Sequence, residues 1–204
     1  MNIVILGGFL GSGKTTVLAQ LAEYLVKISD KDIKTPVVIL ENEISRAGVD
    51  NQFLSGLDLT VENVFSGCIC CTSTASLTES VNEIRSLYDP RWLLIEATGM
   101  AYPDNIKKVL SDEMHMHASI LALADASRWR KVMKAMPDFI SYQIKYASVI
   151  LLNKIDLTEK GNIEEAKADI RKINSEGIIF ETCAVKEITD PVLNEITNLL
   201  CGHQ

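Results

Sequence analysis

Residues 2–16 read NIVILGGFLGSGKTT. Asn2–Leu6 is a short apolar run with the length of a buried strand. Gly8-Phe9-Leu10-Gly11-Ser12-Gly13-Lys14-Thr15 follows and matches G-x-x-x-x-G-K-[ST], the spacing of a phosphate-binding loop. In such a loop the glycines let the backbone turn its N–H groups inward onto phosphate oxygens. Lys14 is then placed to bridge the β- and γ-phosphates, and the Thr15 hydroxyl to ligate Mg²⁺, with Thr16 beside it in the same turn. The helix starting near Thr15 aims its positive end at the anion. Its apolar stripe of Leu18, Leu21, Ala22 and Leu25 supplies a packing face. A strand before the motif and an amphipathic helix after it separate this reading from a chance glycine-rich turn.

Outward from this loop, strand and helix signals alternate. Strand-like runs are expected at Asn2–Leu6, Val37–Glu41, Val61–Phe65, Trp92–Glu96, Ser119–Asp125, Ser148–Asn153 and Ile178–Thr182. Helical stripes lie between them: Leu77, Val81, Ile84 and Leu87; Trp129, Val132, Met133 and Met136; Ile163, Ala166, Ile170 and Ile173; Val192, Leu193, Ile196 and Leu199. That alternation predicts an α/β P-loop fold, with a mostly parallel sheet of about seven strands and helices on both faces. Ligands in such folds sit at the carboxyl ends of the strands. The chain is therefore expected to form a single nucleotide-binding domain over 1–204.

Several polar groups fall at those strand ends. Glu41-Asn42-Glu43 closes the second strand, where phosphates and a metal would be, although such clusters also serve as turns and helix caps. Gly67-Cys68-Ile69-Cys70-Cys71 places three thiols within four residues. Cys68, Cys70 and Cys71 can converge on one soft or borderline ion, Zn²⁺ by affinity, with Co²⁺ or Ni²⁺ open. Three ligands leave a tetrahedral site one short, which suits transfer better than permanent structural binding. A redox pair or buried small hydrophobes are the alternatives. Trp92-Leu93-Leu94-Ile95-Glu96 is an apolar strand ending in an acid, so Glu96 is expected to hold the Mg²⁺ shell through water. Gly99 lets a backbone N–H approach the γ-phosphate. Asp125 ends a further buried strand. Met114-His115-Met116-His117 reads as the polar face of a half-exposed strand, with a two-imidazole metal site as the weaker option.

Asn153-Lys154-Ile155-Asp156 matches N-K-x-D. The Asp156 carboxylate can accept from N1 and N2 of guanine, a donor pair that adenine lacks. Asn153 braces the loop, and the Lys154 stem covers the ring face. The last strand-like run ends in Thr182-Cys183-Ala184-Val185-Lys186, where Cys183 or Ala184 could present a backbone N–H to guanine O6.

Bulk properties exclude other classes. The 204 residues are 47% apolar and carry a net charge of −7, with no Lys/Arg stripe, so nucleic acid is not an expected partner. No apolar run reaches membrane-spanning length, and the apolar N-terminal segment leads into the P-loop instead of a signal-peptide cleavage site. Five cysteines, an odd count with three of them clustered, suit thiols or metal ligands in a reducing cytoplasm, not a disulfide frame.

Taken in order, GGFLGSGKTT, LENEISRAGVD, GCICCT, LLIEATGMAYP, LALADA and LLNKIDL resemble the CobW-type metallochaperone GTPases, relatives of the urease and hydrogenase nickel-insertion GTPases. The resemblance spans Asn2 to about Val185. It implies GTP hydrolysis to GDP and phosphate, and a transition metal on Cys68, Cys70 and Cys71. Nucleotide state would control delivery to a metalloprotein client, with pairing of two copies across the nucleotide face. It assigns Lys14, Glu96 and Gly99 to catalysis and Thr15, Glu43 and Glu96 to Mg²⁺. Two departures stand out. Where the family commonly continues Asn-Glu with Phe-Gly-Glu, this chain has Ile44-Ser45-Arg46. The further C-terminal domain usual in the family is also not expected here. Turnover is expected to be slow. Met100 and Ala101 replace a water-orienting glutamine, and Phe9 sits where ATPases with a modified P-loop carry an extra lysine. A regulatory module gated by GTP and metal, without delivery, is the alternative function.

Overall fold

Parallel strands cannot be joined by tight turns, so each neighbour requires a crossover through a helix. The computed structural model, which describes residues 1–41, 60–63 and 74–201, follows that rule at each connection that lies within the described residues. Its strands are β1 (Asn2–Gly8), β2 (Val37–Glu41), β3 (Thr60–Asn63), β4 (Trp92–Glu96), β5 (Ala118–Asp125), β6 (Val149–Asn153) and β7 (Ile178–Glu181). They form one parallel sheet in the order β3-β2-β4-β1-β5-β6-β7. The helices are α1 (Lys14–Ile28), α2 (Thr74–Tyr88), α3 (Pro103–Met114), α4 (Trp129–Ala135), α5 (Pro137–Ile144), α6 (Lys160–Ile173) and α7 (Asp190–Cys201). A 3₁₀ turn covers Ile155–Leu157. Among the described residues no helix is long and apolar enough to cross a membrane.

Side chains alternate across β1, and the two sets build two cores. Val4 and Leu6 face α1 and α7, packing with Leu18, Leu21, Leu25, Leu193 and Ile196. Ile3 and Ile5 face the opposite layer, packing with residues of α2, α3, α5 and α6 such as Val81, Leu110, Ile144 and Ile170. Each leucine fully buried this way contributes about 1.5–3 kcal/mol. Strand β1 lies between β4 and β5, so the loop leaving its carboxyl end opens at the middle of the sheet edge.

Three expectations need correction or limits. Leu87 does not complete the α2 stripe: it is 65% exposed. Tyr88, one turn after Ile84, packs against the core instead. Met114–His117 is not a strand. Met114 ends α3, and His115 takes a left-handed conformation (φ 53°). Its N–H donates to Ser111 O, while that of Met116 donates to Leu110 O. This helix-ending arrangement leaves both imidazoles exposed before β5 begins. Strand β3 covers Thr60–Asn63, and Val64 and Phe65 lie outside the described residues.

The exposure difference on α2 is testable. Ile84→Ala is expected to destabilise the chain by about 2–4 kcal/mol, and Leu87→Gln by less than about 0.5 kcal/mol, in urea denaturation.

Candidate nucleotide site at the carboxyl edge of the sheet

Because every strand is parallel, all carboxyl ends share one edge. The register sets Glu96 beside both Leu6 and Glu41, Gly8 beside Leu123, and Asp125 beside Asn153. The expected site residues Gly8, Glu96 and Asn153 are thus brought to one edge by pairing alone. Cys68, Cys70, Cys71 and Glu43 lie outside the described residues. Asn63, paired with Glu41 at this same edge, precedes Cys68 by five residues in sequence.

Helix α1 begins at Lys14, capped only by Gly13. No side chain caps its first turn and no acid sits there, so its N–H groups remain a ready anion site. Gly13 has φ 102°, and a Cβ there would meet Asn153 Nδ2 at 2.5 Å. Both conformation and space therefore require glycine. Lys14 is buried, with Nζ donating to Gly8 O at 3.1 Å. The Thr15 hydroxyl lies 3.2 Å from Glu96 Oε1. A hydroxyl and a carboxylate in contact can hold a hard cation between them, the hydroxyl directly and the acid through water. Thr16 is exposed on the same turn, and Ser12 is fully buried. Gly99 lies against the P-loop: a Cβ on it would stand 2.9 Å from the backbone N of Leu10.

Three consecutive P-loop carbonyls are held by side chains from outside the loop. Arg128 Nη2 donates to Leu10 O at 2.7 Å. Lys154 Nζ donates to Gly11 O at 2.5 Å. Asn153 Nδ2 donates to Ser12 O at 2.8 Å. In a trans peptide the next N–H points opposite its carbonyl. Drawing these carbonyls outward turns the amides of Gly11 and Gly13 the other way. Asp125, only 5% exposed at its side chain, joins the set, pairing with Arg128 Nε at 2.8 Å and Lys154 Nζ at 2.9 Å. Burial alone would raise its pKa. Hydrogen bonds from Ser127, Lys154 and Arg128 outweigh that and hold it below the ordinary carboxylate value.

Asp156 is exposed in the 3₁₀ turn after Lys154, whose left-handed backbone (φ 62°) makes the corner. It shares an open cleft with Cys183, Glu181 and Lys186. The amide of Ala184 donates to Asn153 Oδ1 at 2.8 Å. Its role in this state is to brace Asn153, and a base-directed N–H would have to come from another residue of the turn. Among the described residues no group of three or more His, Cys, Asp or Glu side chains converges as a metal site. Sequence reasoning missed Arg128 and placed Asp125 at a strand end without giving it a role. The LALADASR spelling holds both, but only the fold brings them under the P-loop.

A phosphate-binding loop after the central strand, an acid at the end of the adjacent strand and an Asn-Lys-x-Asp turn two strands away define a P-loop nucleotide-binding domain. Residues 2–181 match the CobW/HypB/UreG nucleotide-binding domain, and the chain belongs to that family. Among similar proteins, the zinc chaperone YjiA of Escherichia coli is 28% identical over 188 residues, covering 87% of this chain and 56% of its own length. Zinc-regulated GTPase metalloprotein activator 1 of Schizosaccharomyces pombe is 29% identical over 194 residues, covering 88% and 45%. The chain thus spans about half the length of the curated relatives it matches. Of solved structures, hydrogenase maturation factor HypB of Archaeoglobus fulgidus aligns with a TM-score of 0.68 at 18% identity, covering 98% of this chain and 90% of that one. HypB of Helicobacter pylori in complex with nickel aligns at 0.62 and 18%, covering 99% and 86%. These structural likenesses establish the P-loop fold.

The Asp125 network makes stability depend on pH. Its depressed folded pKa means the contribution is fully present above the unfolded value of about 3.9 and is lost as pH falls through the folded value. Asp125→Asn is expected to cost about 1–3 kcal/mol at pH 7, with the gap to wild type closing below about pH 4 in denaturation series.

Proposed function

We propose that the chain binds GTP with Mg²⁺ at this edge, hydrolyses it slowly, and uses the nucleotide state to govern a transition metal held by Cys68, Cys70 and Cys71. The observation that carries the reading is the clasp between Asn153-Lys154 and the carbonyls of Gly11 and Ser12, because it joins a base-reading turn to a phosphate-binding loop. Backbone amides of the P-loop and the start of α1 take the phosphates. Lys14 neutralises charge between the β- and γ-phosphates. Asp156 accepts from the guanine edge, and Lys154 covers the ring. Thr15 and Glu96, already in contact, would hold Mg²⁺, which supplies further neutralisation of the charge developing on the transferred phosphoryl group. Gly99 packs on Leu10 of the P-loop, which supports a role in sensing loss of the γ-phosphate.

Slow turnover follows from what the loop after β4 lacks. Met100 is exposed and Ala101 buried, and neither can orient a water. The metal is Zn²⁺ by the chemistry of three thiolates and in keeping with relatives named as zinc chaperones, with Co²⁺ and Ni²⁺ less favoured. The expected recipient is a metalloprotein client, and a second copy across the nucleotide face is the expected dimer.

Calorimetry with purified chain and Mg²⁺ tests the base assignment. Wild type is expected to bind GTP and GDP and to ignore ATP, while Asp156→Asn weakens GTP by about a hundredfold and improves binding of xanthosine triphosphate, whose C2 carbonyl accepts from an amide. Equal affinity of wild type for ATP and GTP overturns the assignment. For the metal, Cys70→Ser and Cys71→Ser are expected to lower Zn²⁺ affinity against a competing chelator while GTP affinity stays within about threefold. Equal loss of both would make the segment structural. Zn²⁺ release to chelator that requires GTP hydrolysis supports delivery, whereas retention through turnover supports a regulatory module.

A further inference from the structure

Helix α5 carries a polar residue that its surroundings do not otherwise call for. Gln143 is 2% exposed, on the same helix as the core residues Ile140 and Ile144. Its Oε1 accepts from the Gly8 amide at 2.7 Å, and its Nε2 donates to the Ala101 carbonyl at 2.5 Å. The two partners fix the orientation of the side-chain amide, since an N–H can only donate and a carbonyl only accept. One side chain therefore ties the start of the P-loop to the loop that follows Glu96 and contains Gly99. One helical turn earlier, Phe139 repeats the bridge with its ring. It meets Phe9 of the P-loop edge-on at 6.1 Å and Tyr102 at 5.3 Å between centroids. Tyr142 adds a second ring on Tyr102 at 5.5 Å.

Little slack surrounds this bridge. A Cβ on Gly7 would stand 2.3 Å from Pro103 Cγ, so the end of β1 and the start of α3 are already in contact. Gly99 is likewise pressed on Leu10. The turn between them is closed by the Ala101 amide donating to Thr98 O at 3.0 Å. Any shift of Gly99 away from the P-loop must either carry Ala101 and α5 with it or break the bond from Gln143. Breaking it leaves a buried carbonyl and a buried amide group without partners, which packed interiors resist.

We infer that Gln143 is a positioning residue that couples the phosphate-binding loop to the Thr98–Tyr102 loop, so that α5 moves with nucleotide state. This rests on the proposal that the chain binds and hydrolyses GTP. Gln143 touches no substrate. It acts by holding the backbone of Gly8 and Ala101 at a set separation, and Phe139 keeps the two loops in register beside it. Glutamate in its place keeps the acceptor for Gly8 but sets a carboxylate against the Ala101 carbonyl. Methionine keeps the volume and removes both bonds.

The test uses the full chain with Mg²⁺ and hydrogen–deuterium exchange in GDP and in a non-hydrolysable GTP analogue. In wild type, protection of residues 97–102 and of 137–144 is expected to change together between the two nucleotides. In Gln143→Glu and Gln143→Met the change at 137–144 is expected to fall by about half or more, while protection of residues 8–16 by nucleotide persists. Turnover in both variants is expected to fall about tenfold in kcat, with KM and GDP affinity within about threefold. A merely structural role would lower the melting temperature and leave kcat per folded molecule and the exchange difference intact, and that result overturns the inference. So does a wild-type chain in which 137–144 does not respond to nucleotide, a measurement that needs no variant. A wild-type chain that binds no guanine nucleotide overturns the parent proposal and this one together. A wild type active on GTP beside variants indistinguishable from it overturns this one alone.

Discussion

Everything at the sheet edge depends on where three carbonyls point. Leu10, Gly11 and Ser12 each give their carbonyl oxygen to a side chain from elsewhere in the chain: Arg128, Lys154 and Asn153. A glycine-rich loop is free to adopt many conformations, and ordering it has an entropic cost of about 1–2 kcal/mol per residue. The three donors meet that cost in the folded protein before any anion arrives. Amides already aimed inward need little reorganisation to receive a phosphate, which is what preorganisation contributes to binding and to transition-state stabilisation. Asp125, itself buried, pairs with two of the donors and keeps both cations in place.

That arrangement also explains how one edge can serve several tasks. The Asn-Lys-x-Asp turn, the P-loop and the acid at the end of β4 are held by different strands, yet side-chain bonds make them nearly one body. Asn153 contacts Ser12, Thr182 and Ala184, so it spans the P-loop and the turn after β7. Thr15 contacts Glu96 across α1 and β4. Gln143 and Phe139 extend the same connectivity to helix α5. Short contacts through packed, hydrogen-bonded groups are a physical means of coupling separate parts of such an edge.

Local spelling was a reliable guide where the chemistry is local. The P-loop motif, the apolar strand ending in Glu96 and the Asn-Lys-x-Asp turn each occupy a few consecutive residues, and each landed at a strand end as expected. Periodicity misled where tertiary packing chose between adjacent candidates. Tyr88, four residues after Ile84, closes the α2 face, and Leu87 is left exposed. The Met114–His117 alternation mimicked a strand, but a left-handed His115 and two helix-closing bonds from its end ended α3 instead. Gln143 carried no signal at all. A polar residue such as Gln143, in a helix that also carries Asp138 and Ser141, looks the same in sequence whether it faces water or two loops.

The sequence by itself determined the class of fold and the kind of ligand. Strand–loop–helix order, glycine at positions where a side chain would collide, and an Asn-Lys-x-Asp turn at a strand end are properties of short segments and survive without knowledge of the rest. Tertiary structure alone decided which distant groups hold those segments in place. The Arg128 bond to Leu10 and the Gln143 bond to Gly8 join residues 118 and 135 positions apart. Bonds of that span arise only when the order of strands in the sheet is set, because register and layer packing, not sequence proximity, bring their partners within hydrogen-bonding distance.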